Sequence, residues 1–246
     1  MKIIGMIPVR LESSRLPQKA IADICGMPMI LHTMKRSQMA GILDEVYVVT
    51  DSEMIRELIE KNGGKVLMTS SSHQTGTDRI AEAAEKIDAD IIVNVQGDEA
   101  LVDPEHIEAG VRALLDSDAS VSILVRRFSV KKSPSDIKAV LNMKNEIMYL
   151  SRADIPSDAR TEVKEMLKAY HVVSFRKPFL LQYNRMKRTP LEQIEYNEYL
   201  RILENGYKIQ AALVDSDAIS VDTKGDLELV RKKMKTDALY QKYKPK

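Results

Sequence analysis

Short apolar runs alternate with amphipathic helical patterns through the first half of the chain, and this alternation constrains the fold more than any other sequence feature. A continuous apolar run is typical of a buried strand, whereas apolar residues spaced three and four apart indicate a helix packed on one face. Strands that alternate with such helices form right-handed βαβ units. The sequence therefore predicts an α/β fold with three layers, α/β/α, around a mostly parallel sheet. The predicted strands are 3–7, 46–49, 66–68 and 91–95, and the predicted helices begin near residues 28, 55, 78 and 104.

The pattern is less regular after residue 120. Short strands are predicted at 121–125, 139–141 and 147–150, a polar helix-like stretch at 155–170, and a strongly patterned helix at 190–205. We expect residues 1–246 to form a single domain. Within it, about 150–205 is either a smaller inserted lobe beside the binding site or an element for dimerisation.

Composition excludes several classes of protein. The chain has 246 residues, enough to bury a sizeable core, and its formal net charge of +1 gives no global field that would attract nucleic acid or a membrane surface. Cys25 is the single cysteine, so no internal disulfide can form. The apolar run after Met1 is too short for a signal peptide, and no apolar stretch approaches the ~20 residues that span a bilayer. We therefore expect a cytoplasmic, soluble protein with no nucleic-acid or membrane partner.

A cationic loop follows the first predicted strand. Arg10, Arg15 and Lys19 lie at the carboxyl end of that strand, where open parallel sheets bind their ligands. The loop has neither the dinucleotide-binding glycine pattern nor the P-loop pattern, so a phosphate there would be bound by side chains. Arginine can donate two hydrogen bonds to one phosphate, and lysine supplies a point charge. These residues are candidates for binding a triphosphate, and the alternative is a solvated basic loop.

Two aspartates are candidate ligands for Mg²⁺. Asp98 follows the fourth predicted strand after Gly97, which permits a tight turn, and Asp222 precedes the C-terminal helical pattern. Magnesium commonly takes one or two carboxylates and fills its other positions with phosphate oxygens and water. Either aspartate can instead cap a helix, and Asp222 serves a metal only if it meets Asp98 across the sheet. Two carboxylates beside a cationic loop suit attack of a substrate oxygen on an α-phosphate, with pyrophosphate leaving.

The histidines predict no other chemistry. The spacing of His32, His73, His106 and His171 is unlike that of zinc ligands, and no Ser-His-Asp arrangement is visible. His32 lies within a helical pattern, so we interpret it as a structural residue.

Six segments resemble, in the same order, the 3-deoxy-manno-octulosonate (Kdo) cytidylyltransferases, also called CMP-Kdo synthetases. Any one segment is modest support, but six in order are highly specific for the nucleotidyltransferase superfamily and fairly specific for this family. The resemblance implies a nucleotidyltransferase-like fold, CTP as donor, Mg²⁺ as cofactor, an acidic 2-keto sugar as acceptor, and a homodimer. The segments are 14–19, 73–79, 94–99, 149–156, 190–195 and 221–223.

The resemblance also implies roles for individual residues. Those implied to bind the nucleotide are Arg10, Ser14, Arg15, Lys19, Gln74, Arg79 and Gln96. Those implied to be catalytic are Arg15, Lys19, Asp98 and Asp222, of which the two aspartates bind the metal. Those implied to bind the acceptor are Gln96, Arg152, His171, Glu192, Gln193 and Glu195. The residues themselves agree, because Arg152 can pair with a sugar carboxylate, and Glu192 and Glu195 share one helix face. The alternative for that helix is a solvated acidic face.

The chain departs from the family pattern near His171. The family segment His-x-Gly-Ile-Tyr has Val173 in place of its glycine and Phe175 in place of its tyrosine, and Ala100 stands where proline is frequent. A site that loses a hydroxyl partner also loses discrimination. The first alternative is therefore the same CTP chemistry on a different nonulosonic or amino-modified keto sugar, or on a phosphonate. A catalytically silent homologue is the second alternative, and a nucleic-acid-binding protein is the third.

Overall fold

The protein is described here by a computed structural model that covers residues 1–11, 16–216 and 219–245. Its contacts divide the chain into two compact units, Met1–Glu108 with Asp217–Lys246, and Ala109–Ser216. The lobe predicted at 150–205 lies within the second unit, and the single-domain prediction stays a prediction. Within the described ranges, no helix has both the length and the apolar character needed to cross a membrane.

Alternating strands and helices build the first unit. Its strands are β1 (Ile3–Pro8), β2 (Asp23–Ile24), β3 (Met27–Pro28), β4 (Glu45–Thr50), β5 (Lys65–Met68) and β6 (Ile91–Val95). Its helices are α1 (Met29–Ser37), α2 (Glu53–Lys61), α3 (Gly76–Glu85) and the beginning of α4 (Pro104–Leu115), with a 3-10 turn at Lys19–Ile21. Strands β6, β1, β4 and β5 pair in that order and are all parallel, whereas β2 and β3 form a small antiparallel pair. The predicted parallel βαβ units are confirmed.

The sequence explains both the core and the helix starts of this unit. The side chains of Ile4, Val48 and Ile92 are fully buried, and burial of such a side chain contributes about 1.5–3 kcal/mol. Helix α3 begins with a capping box, in which Thr75 and Asp78 each accept a hydrogen bond from the other's backbone nitrogen. Packing therefore fixes the strands, and local capping fixes where α3 begins beside their carboxyl ends.

The second unit contains a mixed sheet. Its elements are β7 (Val121–Phe128), β8 (Lys138–Leu141), β9 (Ile147–Ser151), β10 (Met166–Arg176), α5 (Lys177–Asn184), α6 (Pro190–Glu195), α7 (Leu200–Glu204) and β11 (Ile209–Leu213). Strand β7 pairs antiparallel with β10 and parallel with β11. Strand β8 pairs antiparallel with both β10 and β9. The three short strands predicted after residue 120 are confirmed.

Two secondary-structure predictions for the second unit are wrong. The stretch 155–170 forms no helix, because residues 156–165 are almost all exposed and offer no apolar stripe to pack; the chain then enters β10. The single helix predicted at 190–205 is two short helices, α6 and α7. The first ends at Tyr196, which has a left-handed backbone conformation with φ 52°.

Two C-terminal helices, α8 (Lys224–Thr236) and the short α9 (Tyr240–Tyr243), belong to the first unit. Arg36 of α1 forms an ion pair with Asp237, and its Nε donates to the Tyr243 hydroxyl at 3.1 Å. His32 Nδ1 lies 3.0 Å from the same hydroxyl, and its Nε2 lies 2.9 Å from the carbonyl oxygen of Ile24. These contacts support the interpretation of His32 as a structural residue.

Candidate active site

A cavity of about 930 Å³ lies in the first unit, at the carboxyl ends of β1 and β6. A Cβ atom at Gly97 would lie only 3.1 Å from the carbonyl oxygen of Pro8, so glycine lets the loops after these two strands approach closely. This is the end of a parallel sheet at which ligands bind. The lining residues are Pro8, Val9, Arg10, Leu11, Pro17, Gln18, Lys19, Ala20, Met29, His73, Thr75, Gly76, Arg79, Gln96, Gly97 and Asp98.

Lys19 lies between the two predicted metal ligands. Its Nζ is 2.6 Å from Asp98 Oδ2 and 3.3 Å from Asp222 Oδ1. Burial by itself lowers the pKa of Lys19, but the charges and hydrogen bonds of Asp98 and Asp222 outweigh that effect and raise its pKa. The side chain is therefore a fixed cation at the edge of the cavity.

The two carboxylates suit a magnesium ion. Asp98 and Asp222 direct oxygens at one cation, the Lys19 ammonium, which shows that their side chains converge. Among residues 1–11, 16–216 and 219–245, no group of three or more His, Cys, Asp and Glu side chains is arranged to hold a metal. A pair of carboxylates is sufficient for Mg²⁺ beside a nucleotide, because phosphate oxygens and water supply its other ligands. Asp222 thus meets Asp98 as its predicted role requires, and the role itself stays a prediction.

Hydrogen bonds join the two segments that carry these aspartates. The backbone nitrogen of Val221 donates to the carbonyl oxygen of Asp98 at 3.1 Å. The Ser220 hydroxyl donates to the carboxylate of Glu99, which is fully buried. Sequence reasoning missed Ser220 and Glu99 as contributors to the site. Their positions in the sequence could have indicated this role, because Glu99 follows Asp98 directly and Ser220 lies two residues before Asp222.

Two of the predicted nucleotide-binding arginines differ in their surroundings. Arg79 is only 5% exposed, and its guanidinium lies 3.2 Å from Asp51 Oδ2 and donates to Thr69 Oγ1 at 2.7 Å. Arg10 is exposed and donates to the backbone carbonyl oxygen of Gln74 at 3.4 Å. Arg79 is thus a buried, fixed part of the cavity wall, whereas Arg10 lines the cavity with a side chain that is exposed to solvent.

The remaining donor-side residues are described only in part. Gln96 lines the cavity, and its side-chain nitrogen donates to the buried Asn94 Oδ1 at 3.4 Å. Ser14 and Arg15 lie outside the described residues. His171 belongs to β10, but its side chain is not described. The roles implied for these residues stay predictions.

Arg152 and Glu195, two predicted acceptor ligands, meet in the second unit. The Arg152 guanidinium donates to the carbonyl oxygens of Glu195 at 2.7 Å and of Tyr196 at 3.1 Å. The Glu195 carboxylate accepts from the Ser151 hydroxyl at 2.6 Å and from the backbone nitrogen of Arg152 at 2.8 Å. Burial acts to raise the pKa of Glu195, but these hydrogen bonds outweigh it and lower the pKa. The carboxylate is therefore held ionised.

Glu192 is buried against Arg201 in the same unit. Their side chains are 7% and 5% exposed, and Arg201 Nε donates to Glu192 Oε2 at 2.8 Å. Arg201 also lies over the ring of Tyr183, 4.7 Å from its centroid. The alternative of a solvated acidic face is wrong for Glu192, because tertiary packing pairs it with an arginine. Gln193 is exposed and donates to the carbonyl oxygen of Thr189 at 3.3 Å. Their acceptor roles stay predictions.

The departures from the family pattern are buried. Val173 is 1% exposed and Phe175 is fully buried, with its ring centroid 6.2 Å from that of Tyr183. Ala100 is fully buried as well. This placement does not support the interpretation that Val173 and Phe175 alter an acceptor site, because their side chains belong to the core of the second unit.

Comparison with known proteins shows the family of the chain. A family model described as cytidylyltransferase matches residues 4–209. The chain is 41% identical to a 3-deoxy-manno-octulosonate cytidylyltransferase of Geobacter metallireducens, over 95% of this chain and 98% of that one. It is 40% identical to the enzyme of that name from Francisella tularensis, over 92% and 96%.

A solved structure extends the likeness to the fold. It is a CMP:2-keto-3-deoxy-manno-octonic acid synthetase complexed with CTP, with a TM-score of 0.93 and 34% identity over 96% of this chain and 99% of that one. A 4-diphosphocytidyl-2C-methyl-D-erythritol synthase from Anaerococcus prevotii, at 15% identity and a TM-score of 0.62, shares the fold. The predicted nucleotidyltransferase-like α/β fold is confirmed.

Proposed function

The chain belongs to the cytidylyltransferase family, and we propose that it transfers CMP from CTP to Kdo, an acidic 2-keto sugar, and releases pyrophosphate. The observation that carries the proposal is the convergence of Asp98 and Asp222 on Lys19 beside a cavity at the ends of parallel strands. The relatives support the choice of donor and acceptor, because the Kdo cytidylyltransferases match nearly the whole chain.

Positioning and charge carry the proposed reaction. An acceptor hydroxyl oxygen bonds to the α-phosphorus of CTP, the bond from that phosphorus to the bridging oxygen of the β-phosphate breaks, and the hydroxyl proton passes to solvent. Held by Asp98 and Asp222, Mg²⁺ would neutralise phosphate charge and polarise the α-phosphate. Lys19 and Arg10 would bind triphosphate oxygens and stabilise the leaving pyrophosphate.

The proposal includes the acceptor ligands, a homodimeric state and a cytoplasmic location. Arg152 offers the positive charge that a sugar carboxylate requires, and the ionised Glu195 beside it can accept from sugar hydroxyls. A cytoplasmic location suits an enzyme that consumes CTP. The proposed acceptor ligands are Gln96, Arg152, His171, Glu192, Gln193 and Glu195.

The alternatives have lost support. A different acceptor was suggested by Val173 and Phe175, and both are core residues. A catalytically silent homologue has no need to keep Lys19, Asp98 and Asp222 within ion-pair distance, yet they are together.

Release of pyrophosphate from CTP, measured with and without Mg²⁺, tests the proposal. Kdo, a sialic acid and a small phosphonate are offered in parallel as acceptors, with ATP, GTP and UTP as donor controls. We expect release only with CTP, Kdo and Mg²⁺ together. The variant Asp98→Asn tests the metal assignment, because it keeps the shape of the side chain but removes its charge. It should lower turnover by about a hundredfold or more without unfolding the protein. Release with a different acceptor alone would refute the Kdo assignment, and an active Asp98→Asn variant would refute the metal assignment.

A further inference from the structure

His73 lines the same cavity as Lys19, and the proposed reaction assigns it no role. It lies in the loop between β5 and α3, and its side chain is 19% exposed. Its Nε2 is 2.6 Å from Oε2 of Glu82, a residue of α3. This is a short contact between a ring nitrogen and a carboxylate, the kind that sets the protonation of an imidazole.

Glu82 is fixed from three directions. Besides His73, its carboxylate accepts from the backbone nitrogen of Ser70 at 2.9 Å and from Lys86 Nζ at 2.6 Å. Burial acts to raise the pKa of Glu82, but the hydrogen bonds from Lys86, His73 and Ser70 outweigh it and lower the pKa to about 2. An ionised carboxylate only accepts hydrogen bonds. The His73 nitrogen that faces it must therefore carry a proton.

The other ring nitrogen of His73, Nδ1, is therefore the one that can interact with a ligand. In a neutral imidazole with its proton on Nε2, Nδ1 carries a lone pair and accepts a hydrogen bond. Among the described residues, the hydrogen bonds of the His73 ring end at Glu82, and His73 is one of the residues that line the cavity. With its proton on Nε2 alone, His73 would offer a ligand in the cavity a hydrogen-bond acceptor at Nδ1, beside the cationic side chains that suit its phosphates.

We propose that Glu82 is a positioning residue that holds His73 with its proton on Nε2, so that Nδ1 accepts a hydrogen bond from an N–H or O–H group of the bound nucleoside. The donor is either the amino group of cytosine or a ribose hydroxyl, which share this chemistry. This inference rests on the proposed function, because it requires CTP to bind in the cavity.

The competing reading is that Glu82 only anchors the loop at Ser70. Nitrogen NMR of the histidine ring separates the two, because the tautomer is measured on the full-length protein without substrate. We expect His73 of the wild type to carry its proton on Nε2. We expect Glu82→Gln to give a mixture of tautomers, since an amide can either donate to or accept from the ring. A proton on Nδ1 in the wild type, or an unchanged tautomer in the variant, would overturn the proposal.

Calorimetric titration with CTP and Mg²⁺ then tests the function of the pair. We expect His73→Ala to weaken CTP binding by about three- to tenfold, the loss of one hydrogen bond, and Glu82→Gln to weaken it less. The double variant should bind no more weakly than His73→Ala, because Glu82 acts through His73. Losses that multiply in the double variant would overturn the proposal. Lys86→Met is the matched control, since it removes another partner of Glu82, and it should bind CTP like the wild type.

Analogues identify the donor group. If cytosine supplies it, His73→Ala and the wild type should bind UTP equally. If the ribose supplies it, they should bind 2′-deoxy-CTP or 3′-deoxy-CTP equally. A loss at His73→Ala that persists with all three analogues would overturn the proposed contact. A wild type that releases pyrophosphate normally while His73→Ala binds CTP unchanged would refute this inference alone, whereas a wild type that fails to bind CTP would refute the proposed function as well.

Discussion

The hydroxyl of Ser220 donates a hydrogen bond to the buried carboxylate of Glu99. Glu99 follows Asp98 directly, and Ser220 lies two residues before Asp222. The bond therefore joins the two segments on which the proposed metal ligands stand, next to the backbone hydrogen bond from Val221 to Asp98. Mutation of groups that orient metal ligands typically lowers metal affinity or activity by about 10- to 100-fold.

Replacement of Ser220 should therefore weaken metal binding. We expect Ser220→Ala to lower Mn²⁺ affinity, used as a probe for Mg²⁺, by about tenfold, because the segment carrying Asp222 loses one tie to the segment carrying Asp98. The affinity is read from the electron paramagnetic resonance signal of free Mn²⁺. Ser220→Thr keeps the hydroxyl and should bind Mn²⁺ within about twofold of the wild type. Equal affinity in all three proteins would show that the bond has no part in forming the site.

Removal of Lys19 should have opposite effects on metal binding and on turnover. The ammonium lies within 3.3 Å of both aspartates, so it competes with any cation placed between them. We expect Lys19→Met to bind Mn²⁺ more tightly than the wild type in the absence of CTP, yet to release pyrophosphate about a hundredfold more slowly. Arg10→Met is the control, because Arg10 contacts Gln74 and should change CTP affinity without raising metal affinity. Weaker Mn²⁺ binding by Lys19→Met would contradict this account.

The first unit could be predicted from the sequence because its signals are local. Each strand of the parallel sheet is a short, mostly apolar run. Parallel strands bring their carboxyl ends to one edge, so the approach of Lys19 to Asp98 can be predicted before the packing is known. Strand β10 was missed because it pairs antiparallel with β7, which is distant in the sequence. In addition, the polar residues that precede β10 have a helix-like pattern.

Side-chain partners were the least predictable part of the site. The glutamates of α6 look equivalent at a spacing of three, yet Glu192 is buried against Arg201 and Glu195 binds Ser151. Which carboxylate becomes buried depends on the tertiary contacts of α7 and β9, which periodicity does not encode. The same holds for the contact between His73 and Glu82, which joins a loop to the next helix.

Restoring the family tyrosine at position 175 should cost stability rather than change the acceptor. Phe175 is fully buried against Tyr183, and a hydroxyl placed there without a partner costs about 1–3 kcal/mol. We expect Phe175→Tyr to lower the free energy of unfolding by that amount in urea, with the KM for Kdo unchanged. Phe175→Leu serves as a control for altered packing without a hydroxyl. A lower KM for Kdo in Phe175→Tyr, with unchanged stability, would restore the interpretation that position 175 affects acceptor use.

His32 should make the stability of the protein depend on pH near neutrality. Burial lowers the pKa of His32 from its usual value of 6.5, and the nearby charge of Arg36 lowers it further, although hydrogen bonds to the backbone oppose both effects. The unfolded chain therefore binds a proton near pH 6.5 that the folded chain does not. The free energy of unfolding therefore decreases as the pH falls below about 6.5, by up to ~1.4 kcal/mol per pH unit. The decrease ends when the pH reaches the pKa of His32 in the folded protein.

We expect the free energy of unfolding of His32→Gln, measured by urea denaturation and circular dichroism, to fall less between about pH 6.5 and pH 5 than that of the wild type. Glutamine can still donate to Ile24 and accept from Tyr243, so the variant tests the proton rather than the packing. The difference between the two curves isolates His32, because the other histidines and the carboxylates are common to both proteins. Parallel curves over this range would show that His32 takes up its proton equally in the folded and unfolded chains, contrary to its burial beside Arg36.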